Sequence, residues 1–192
     1  MEKMPFIEKV IAYTTHDDEE FLSGIDKLGK VWCVNEPLSK KWNDALKAIR
    51  HEDFDAIIVL GSDDYIDEAF VRFVSENIDK YDAIGFRDIY YEKDGQLYYW
   101  SGYEGKRHGE PIGAGKVFTK AFLEKIDFNL WTKAKNSGLD GVSWKVTRAN
   151  TDKILTASIK EEGLILVDVK DEPGMNTFEQ ISKKGKLTKR ND

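Results

Sequence analysis

The chain has 192 residues, of which 33% are charged and 41% hydrophobic, and its formal net charge is −6. This length and composition are typical of a single soluble globular domain, and the acidic balance argues against a protein that coats nucleic acid non-specifically. No apolar run approaches the roughly 20 residues that span a bilayer, and the first residues lack the basic flank and apolar stretch of a signal peptide. A single cysteine, Cys33, excludes a disulfide framework or a cysteine metal site. We therefore expect a cytoplasmic protein.

Strand and helix signals alternate through the first half of the chain. Four short apolar runs predict strands, at 10–13, 31–34, 56–60 and 83–86. Apolar residues at helical spacing predict one helix that begins at Ser39, interpreted as its N-cap, and another that Asp67 caps. This alternation predicts an α/β fold with a mostly parallel central sheet flanked by helices.

The pattern becomes less regular after residue 86. Residues 88–100 predict a small antiparallel hairpin that turns at Asp94-Gly95. A glycine-rich loop follows at 102–115. Further elements are predicted beyond it: a helix from about Thr119, a helix from about Leu139 and a last strand at 164–169.

Two adjacent carboxylates stand in Gly61-Ser62-Asp63-Asp64, directly after the apolar run at 56–60. Carboxylates at the exit of a buried strand are unfavourable unless a cation neutralises them. Mg²⁺ or Mn²⁺ on a diphosphate would do so, because these hard cations bind carboxylate and phosphate oxygens. The alternative is that Asp63 and Asp64 cap the following helix, and spacing alone does not decide between the two.

Residues 9–66 resemble the N-terminal half of glycosyltransferase family two and its GT-A relatives. The matching pieces are Thr14-Thr15 after the first strand, Lys41-Trp42-Asn43 in the first predicted helix, and the apolar strand that ends in Gly61-Ser62-Asp63-Asp64. The resemblance implies a single-domain GT-A fold, the fold of nucleotide-diphospho-sugar transferases. The family usually has an Asp where this chain has Gly61, so one carboxylate of its motif is absent.

The resemblance also implies a donor and a metal site in this half. The residues that it assigns to the nucleotide and the donor are Thr14, Thr15, Lys41, Asn43 and Ser62. Asp63 would be the metal ligand, with Asp64 as a second one. The implied cofactors are Mn²⁺ or Mg²⁺ and a nucleotide-sugar donor, a UDP-sugar.

The glycine-rich stretch contributes a second set of candidate residues. Gly113 and Gly115 permit a close approach of the backbone to a ligand. The resemblance places the stretch from Ile112 to Lys116, which contains Gly113, Ala114 and Gly115, over the donor sugar and the acceptor entrance. Arg107 in the same loop would bind a phosphate or an acidic acceptor, and the alternative is an ordinary surface arginine.

Asp140 is the candidate catalytic base. An inverting transfer needs a carboxylate that deprotonates the acceptor hydroxyl as it attacks the anomeric carbon. Family-two enzymes carry this base in an acidic motif at a helix start, after the glycine-rich stretch. Leu139-Asp140 occupies that place, although the family more often has Glu-Asp. The alternative is that Asp140 is the N-cap of the helix that follows.

The last strand ends in Val167-Asp168-Val169-Lys170, and this ending together with the loop at 109–115 resembles small bacteriophage-encoded glycosyltransferases. The resemblance implies that Lys170 contacts the diphosphate or that Asp168 binds the metal; the alternative is a salt bridge between the two. The last twelve residues hold five basic side chains against Asp192. This tail is either a solvated terminus or a contact for a polyanion such as DNA.

Together these features predict one GT-A domain over 1–180, with a nucleotide-binding half at 1–86, a half for the donor sugar and acceptor at 87–180, and a basic tail at 181–192. The predicted activity is metal-assisted, inverting transfer of a hexosyl or pentosyl unit from a UDP-sugar to a hydroxyl. The acceptor would be a hydroxymethylated DNA base, as in phage-type DNA modification in the host cytoplasm, or a glycan or protein. A non-catalytic nucleotide-sugar-binding module is one alternative. A sugar nucleotidyltransferase is another, but the acidic segment 14–20 would repel its triphosphate.

Overall fold

The computed structural model describes residues 37–61, 63–133, 135, 137–170, 177–182 and 187–190. The predicted strands at 10–13 and 31–34 lie outside these residues, as do Thr14, Thr15 and Ser62. Helices α1 to α5 in the described part are Leu38–Ala48, Glu68–Asn77, Lys120–Lys125, Leu139–Asn150 and Phe178–Ser182. Strands β1 to β9 there are Ala56–Val59, Asp64–Ile66, Ala83–Phe86, Ile89–Lys93, Gln96–Trp100, Lys116–Thr119, Ile154–Ala157, Leu166–Val169 and Leu187–Lys189.

Four described strands form the first sheet, in the order β1-β6-β3-β7. β1 and β3 each pair with β6 antiparallel, and β7 pairs with β3 parallel. β1, β3 and β7 therefore run in one direction, with β6 reversed between two of them. The strands predicted at 56–60 and 83–86 are confirmed. The described strands do not confirm a mostly parallel sheet, because β6 runs antiparallel to both of its neighbours. The sequence does not predict β6, whose apolar run is only Val117-Phe118.

Five described strands form a second sheet, in the order β2-β8-β4-β5-β9. Its centre contains the predicted hairpin, β4 and β5, which turns at Asp94 and Gly95 with φ of 52° and 72°. Both values lie in the left-handed region that a two-residue hairpin turn of this kind requires. The hairpin is confirmed, but it is part of a larger sheet that the sequence did not reveal. β9, in the predicted basic tail, pairs with β5 at its edge.

The core has two hydrophobic clusters that meet at β1. Ile58 packs in the cluster that contains Phe70 of α2 and Leu166 of β8. Its neighbour Ile57 packs in the cluster that contains Leu46 of α1. Successive strand residues point to opposite faces, so both faces of β1 are buried, as the continuous apolar run at 56–60 predicts.

Three of the four predicted helix starts are confirmed. Asp67 caps α2 by accepting a hydrogen bond from Phe70 N at 2.9 Å, Thr119 caps α3, and α4 begins at Leu139. The N-cap assignment of Ser39 is wrong. α1 begins one residue earlier, after Pro37, and the buried Ser39 hydroxyl instead accepts from Lys135 N at 2.8 Å. Among the described residues, no helix has both the length and the apolar composition to cross a membrane.

Candidate active site

A cavity of about 310 Å³ is lined by residues from both sheets, from the starts of α1 and α4, and from the loop before β6. Several of the residues predicted from the sequence lie in its wall: Asp64, Gly113, Ala114, Asp140 and Asp168. The predicted metal ligand Asp64 and the predicted base Asp140 therefore share one cavity, although 75 residues separate them in the chain. Lys116 also lines it.

Asp63, Asp64 and Asp168 form a cluster of carboxylates. Each offers an oxygen atom, and these oxygens lie within 4.8 Å of one another. The second sheet explains this proximity, because β2 pairs with β8 so that Asp64 stands opposite Asp168. Neither Asp63 nor Asp64 caps α2, since Asp67 has that role. The capping alternative for the two carboxylates is therefore wrong.

Burial makes this cluster unfavourable as a group of three anions. It raises the pKa of Asp64 to about 6 and that of Asp168 to about 8, and repulsion from neighbouring carboxylates adds to both shifts. Groups that resist ionisation in this way are typical of sites that bind a cation.

Lys170 supplies the nearby positive charge. Its Nζ lies 3.1 Å from Asp63 Oδ2 and forms an ion pair with Asp168, and its side chain is only 9% exposed. Burial alone would lower the pKa of Lys170, but the ion pairs with Asp168 and Asp63 outweigh it and the pKa rises. The salt bridge between Asp168 and Lys170 that the sequence left open is present. One ammonium group thus faces three carboxylates.

Asp140 lies in the first turn of α4, but it is not the helix cap. Gly138 takes the N-cap position with φ of 67°. The Asp140 carboxylate instead accepts hydrogen bonds from Tyr103 Oη at 2.5 Å and Arg107 Nη2 at 2.6 Å. Burial would raise the pKa of Asp140, but these hydrogen bonds and the nearby charges of Arg107 and Lys116 hold it below its ordinary value. Asp140 is therefore an ionised carboxylate at neutral pH.

Arg107 belongs to the same hydrogen-bond network as Asp140. Its Nε donates to Glu110 Oε2 at 2.8 Å, and its guanidinium carbon lies 3.6 Å from the centre of the Tyr103 ring. These contacts fix the plane of the guanidinium that holds Asp140. Arg107 is 40% exposed, but it is not an isolated surface arginine.

Lys116 contacts the first turn of α4, which carries Asp140. It is 1% exposed, and its Nζ donates to the Asp140 carbonyl oxygen at 2.6 Å and to Ser143 Oγ at 3.1 Å. Burial lowers the pKa of Lys116 to about 7, against the opposing effect of Asp140. Lys116 thus ties the start of β6 to the first turn of α4, which positions Asp140.

Asn43 and Lys41 do not lie in the wall of the cavity. The Asn43 amide is buried and accepts from Leu130 N and Trp131 N, at 3.1 and 3.0 Å, while its Nδ2 donates to the Trp131 carbonyl and to Asn129. Trp131 lines the cavity and packs against Trp42, with ring centroids 5.3 Å apart. Asn43 therefore positions an aromatic wall of the cavity.

The three residues of the glycine-rich loop have different surroundings. Gly113 and Ala114 line the cavity, and a Cβ on Gly113 would lie 3.6 Å from Asp140 Cβ. Gly115 is packed against the core, with φ of 74°, and a Cβ there would lie 2.8 Å from Leu166 Cδ2. Its amide donates to the Val59 carbonyl at 2.8 Å. Gly115 thus shapes the loop that Gly113 and Ala114 present to the cavity.

The sequence predicts no role for three residues of the site: Tyr91, Trp100 and Tyr103. No local motif marks them, because Tyr91 and Trp100 reach the cavity through strand pairing and Tyr103 reaches Asp140 from a long loop. The aromatic content of 12% was the one general signal, since such residues often line ligand clefts.

No protein-family model and no curated protein matches the sequence. Solved structures do match the fold. S. aureus TarS 1–349 has a TM-score of 0.56 and 16% identity over 84% of this chain, and its complex with UDP-GlcNAc has the same TM-score and identity over 91%. GalNAc-T7 with UDP, GalNAc and Mn²⁺ has a TM-score of 0.50 and 12% identity over 93%.

The matched region is 51% of the TarS chains and 41% of the GalNAc-T7 chain, so this chain spans about half their length or less. At these identities the likeness concerns the fold. The structural neighbours are glycosyltransferases, and the chain has a GT-A-like α/β fold.

Proposed function

We propose that this protein is a glycosyltransferase that moves a sugar from a nucleotide diphosphate, a UDP-sugar, to a hydroxyl acceptor with inversion. One observation carries the proposal: the Asp64 and Asp168 carboxylates and the ionised carboxylate of Asp140 line a single cavity. Transfer from a sugar diphosphate needs a cation for the leaving group and a base for the acceptor. The GT-A-like fold and the UDP and UDP-GlcNAc named in the neighbouring structures support the same reaction class.

The carboxylate cluster fits a divalent cation. Its oxygens lie close enough to share one ion, and Asp64 and Asp168 both stand in the cavity wall. Oxygen ligands of this kind suit Mg²⁺ or Mn²⁺. We propose that Asp63, Asp64 and Asp168 hold the metal, with Asp168 in place of the carboxylate missing at Gly61. When bound, the metal would neutralise the diphosphate and so stabilise the leaving group.

We propose further contacts between the described residues and the nucleotide-sugar donor. Lys170 would exchange part of its ion pair with Asp63 for the diphosphate, and Gly113 and Ala114 would lie against the donor sugar. Asn43 would act on the donor site through Trp131. Contacts of Thr14, Thr15, Lys41 and Ser62 with the nucleotide remain proposals that rest on the resemblance.

Asp140 would act as the base in a single displacement. The acceptor oxygen forms a bond to the anomeric carbon while the bond from that carbon to the phosphate oxygen breaks, and UDP leaves with the electron pair. Asp140 takes the acceptor proton. Arg107 and Tyr103 keep its carboxylate ionised and oriented before the reaction, and Arg107 would serve the acceptor through Asp140.

We propose a hydroxymethylated DNA base as the acceptor because of the basic tail. β9 is part of the second sheet, so deletion of the tail would damage the fold. Replacing Lys183, Lys184 and Lys186 by Gln keeps that strand. Loss of salt-sensitive DNA binding in this variant would support a DNA acceptor, and unchanged weak binding would favour a glycan or protein.

The roles are tested by measuring UDP release from UDP-sugars with and without Mn²⁺. We expect metal-dependent release that Asp63→Ala weakens and Asp140→Asn reduces by at least ~10²-fold, since a general base contributes about that much. Full activity in both variants would contradict the assigned roles. Binding of a nucleotide sugar with no turnover on any acceptor would instead favour the non-catalytic module.

A further inference from the structure

The second sheet forms one wall of the cavity, and its pairing places specific side chains side by side. Asp64 stands opposite Asp168, and Asp168 stands opposite Tyr91 of β4. Ile89 stands opposite Trp100 on the hairpin, two residues along from Tyr91. Residues that are paired across a sheet, and every second residue along a strand, project from the same face. Tyr91 and Trp100 therefore continue the wall that begins with the acidic cluster.

Trp100 carries a buried donor that no described residue uses. Its side chain is 3% exposed and packs edge-on against Tyr103, with ring centroids 5.0 Å apart, yet Nε1 has no hydrogen-bond partner among the residues that the structure describes. Trp100 lines the cavity. Buried polar groups are normally hydrogen-bonded, so an unused donor in the cavity wall points to a polar ligand.

Tyr91 adds a second donor to this wall. It is 8% exposed, lines the cavity and stands opposite Asp168 in the sheet. Its phenol hydroxyl can donate a hydrogen bond. Tyr91 therefore shares the cavity with both the acidic cluster and Asp140.

We propose that Trp100 and Tyr91 recognise the hydroxyl groups of the sugar that is transferred. This inference rests on the proposed function. The sugar's anomeric carbon must lie between the diphosphate, near Asp168, and the acceptor oxygen, near Asp140. Tyr91 stands beside Asp168, and Trp100 packs on the tyrosine that donates to Asp140. The wall between the two chemical groups therefore presents donors that sugar hydroxyls accept, beside an apolar indole face for the sugar's C–H groups.

Trp100→Phe keeps a six-membered aromatic ring and removes the five-membered ring with its N–H. Tyr91→Phe removes only the hydroxyl. The matched control is Tyr98→Phe, because Tyr98 projects from the same face of the hairpin but packs on Phe178 outside the cavity wall. Affinities are measured by calorimetry with Mn²⁺ for UDP, UDP-glucose, UDP-galactose and UDP-N-acetylglucosamine. Melting temperatures of the ligand-free variants are recorded alongside.

We expect the wild type to bind at least one of these UDP-sugars, and Trp100→Phe and Tyr91→Phe each to weaken that affinity about 3- to 10-fold, as for the loss of one hydrogen bond. Affinity for UDP alone stays unchanged, as do all affinities of Tyr98→Phe. The ligand-free Trp100→Phe protein melts lower than the wild type, because the smaller ring leaves space in the core. The distinguishing result is therefore a loss of affinity for the UDP-sugar with unchanged affinity for UDP, since a purely structural change would alter both.

Other outcomes overturn the inference in distinguishable ways. If Trp100→Phe weakens UDP and the UDP-sugar equally, or changes neither, the sugar contact is wrong while the proposed function stands. If only the KM for the acceptor rises, the wall recognises the acceptor instead. If the wild type binds neither UDP nor any of the three UDP-sugars, the proposed function fails and the inference fails with it.

Discussion

At the residue scale, the site contains two carboxylates of one type with opposite behaviour. Asp140 accepts hydrogen bonds from Tyr103 and Arg107, which lower its pKa, whereas Asp168 is buried beside Asp64, which raises its pKa to about 8. Such separation of pKa values within one cavity is typical of groups with different chemical roles. Here it supports the proposed roles, which are proton transfer for Asp140 and cation binding for Asp168.

Tyr103→Phe removes one of the two donors to Asp140. The pKa of Asp140 then rises toward its ordinary value, and because the base must be ionised, the acidic limb of the kcat profile moves to higher pH. The loss of kcat relative to wild type should grow as pH falls, which a pH profile of UDP release would show. Tyr99→Phe serves as control, since its hydroxyl donates to Asp88 and not to Asp140. An unshifted acidic limb in Tyr103→Phe would contradict the account.

Asp168 predicts a dependence of stability on pH. Its pKa is about 3.8 when unfolded and about 8 when folded, so the folded protein binds more protons between these values. The stability that this group contributes is fully present below the lower value and is lost as pH rises through the higher one. Without metal, the melting temperature of Asp168→Asn should therefore rise relative to that of the wild type as pH increases through this window.

Mn²⁺ should cancel this trend in the wild type, because a bound cation stabilises the ionised carboxylates. Thermal melts across the window, with and without Mn²⁺, measure both effects. A constant difference between wild type and Asp168→Asn at every pH would show that Asp168 is not the group responsible.

The residues of the site differ in how well the sequence predicts them. Asp64 and Asp140 follow from local patterns, a carboxylate pair after an apolar strand and an acidic residue at a helix start. Tyr103 and Lys116 do not, since their roles come from hydrogen bonds to residues 37 and 24 positions away. Asn43 was predicted as a nucleotide contact, and its buried amide shows how a motif residue can act by holding a loop.

At the scale of elements, strong periodic signals were confirmed and short strands were missed. β1, β3, α2 and α4 have continuous apolar runs or capped helical spacing. β2 has three residues, Asp64–Ile66, and it exists because it pairs with β8, about a hundred positions later. Pairing between distant short strands leaves no local pattern, and for this reason the second sheet could not be predicted. Asp168 is implied as a metal ligand by the resemblance alone.

The turn into β6 gives a test at this scale. Gly115 and Gly109 both have φ of 74°, but a Cβ on Gly115 would meet Leu166 and Phe70, whereas a Cβ on Gly109 meets nothing within 4 Å. Both changes to Ala carry a backbone penalty of about 1 kcal/mol, and Gly115→Ala adds about 1–3 kcal/mol of overpacking. Denaturant unfolding of the two variants measures the difference. Equal losses would show that the loop does not pack as described.

At the scale of the whole molecule, the cavity depends on the meeting of two sheets. The first sheet and its helices supply Gly113, Ala114 and Asp140, and the second supplies Asp64 and Asp168. The sequence predicted an α/β fold with a hairpin, and the structure shows that the hairpin belongs to a wall of the site. The acidic cluster and the Asp140 carboxylate thus meet in one cavity of a GT-A-like fold, as the proposed glycosyl transfer requires.

The proposed function requires this cavity to bind a nucleotide sugar together with a divalent cation. A screen of melting temperature with UDP-sugars, with Mn²⁺ and without it, tests this without knowledge of the acceptor, because a ligand that binds only the folded state raises its stability. We predict that at least one UDP-sugar raises the melting temperature with Mn²⁺, and that Asp64→Asn and Asp168→Asn each abolish the part that depends on Mn²⁺. No shift with any UDP-sugar would contradict it. So would a shift in both variants that depends on Mn²⁺ as strongly as the shift in the wild type.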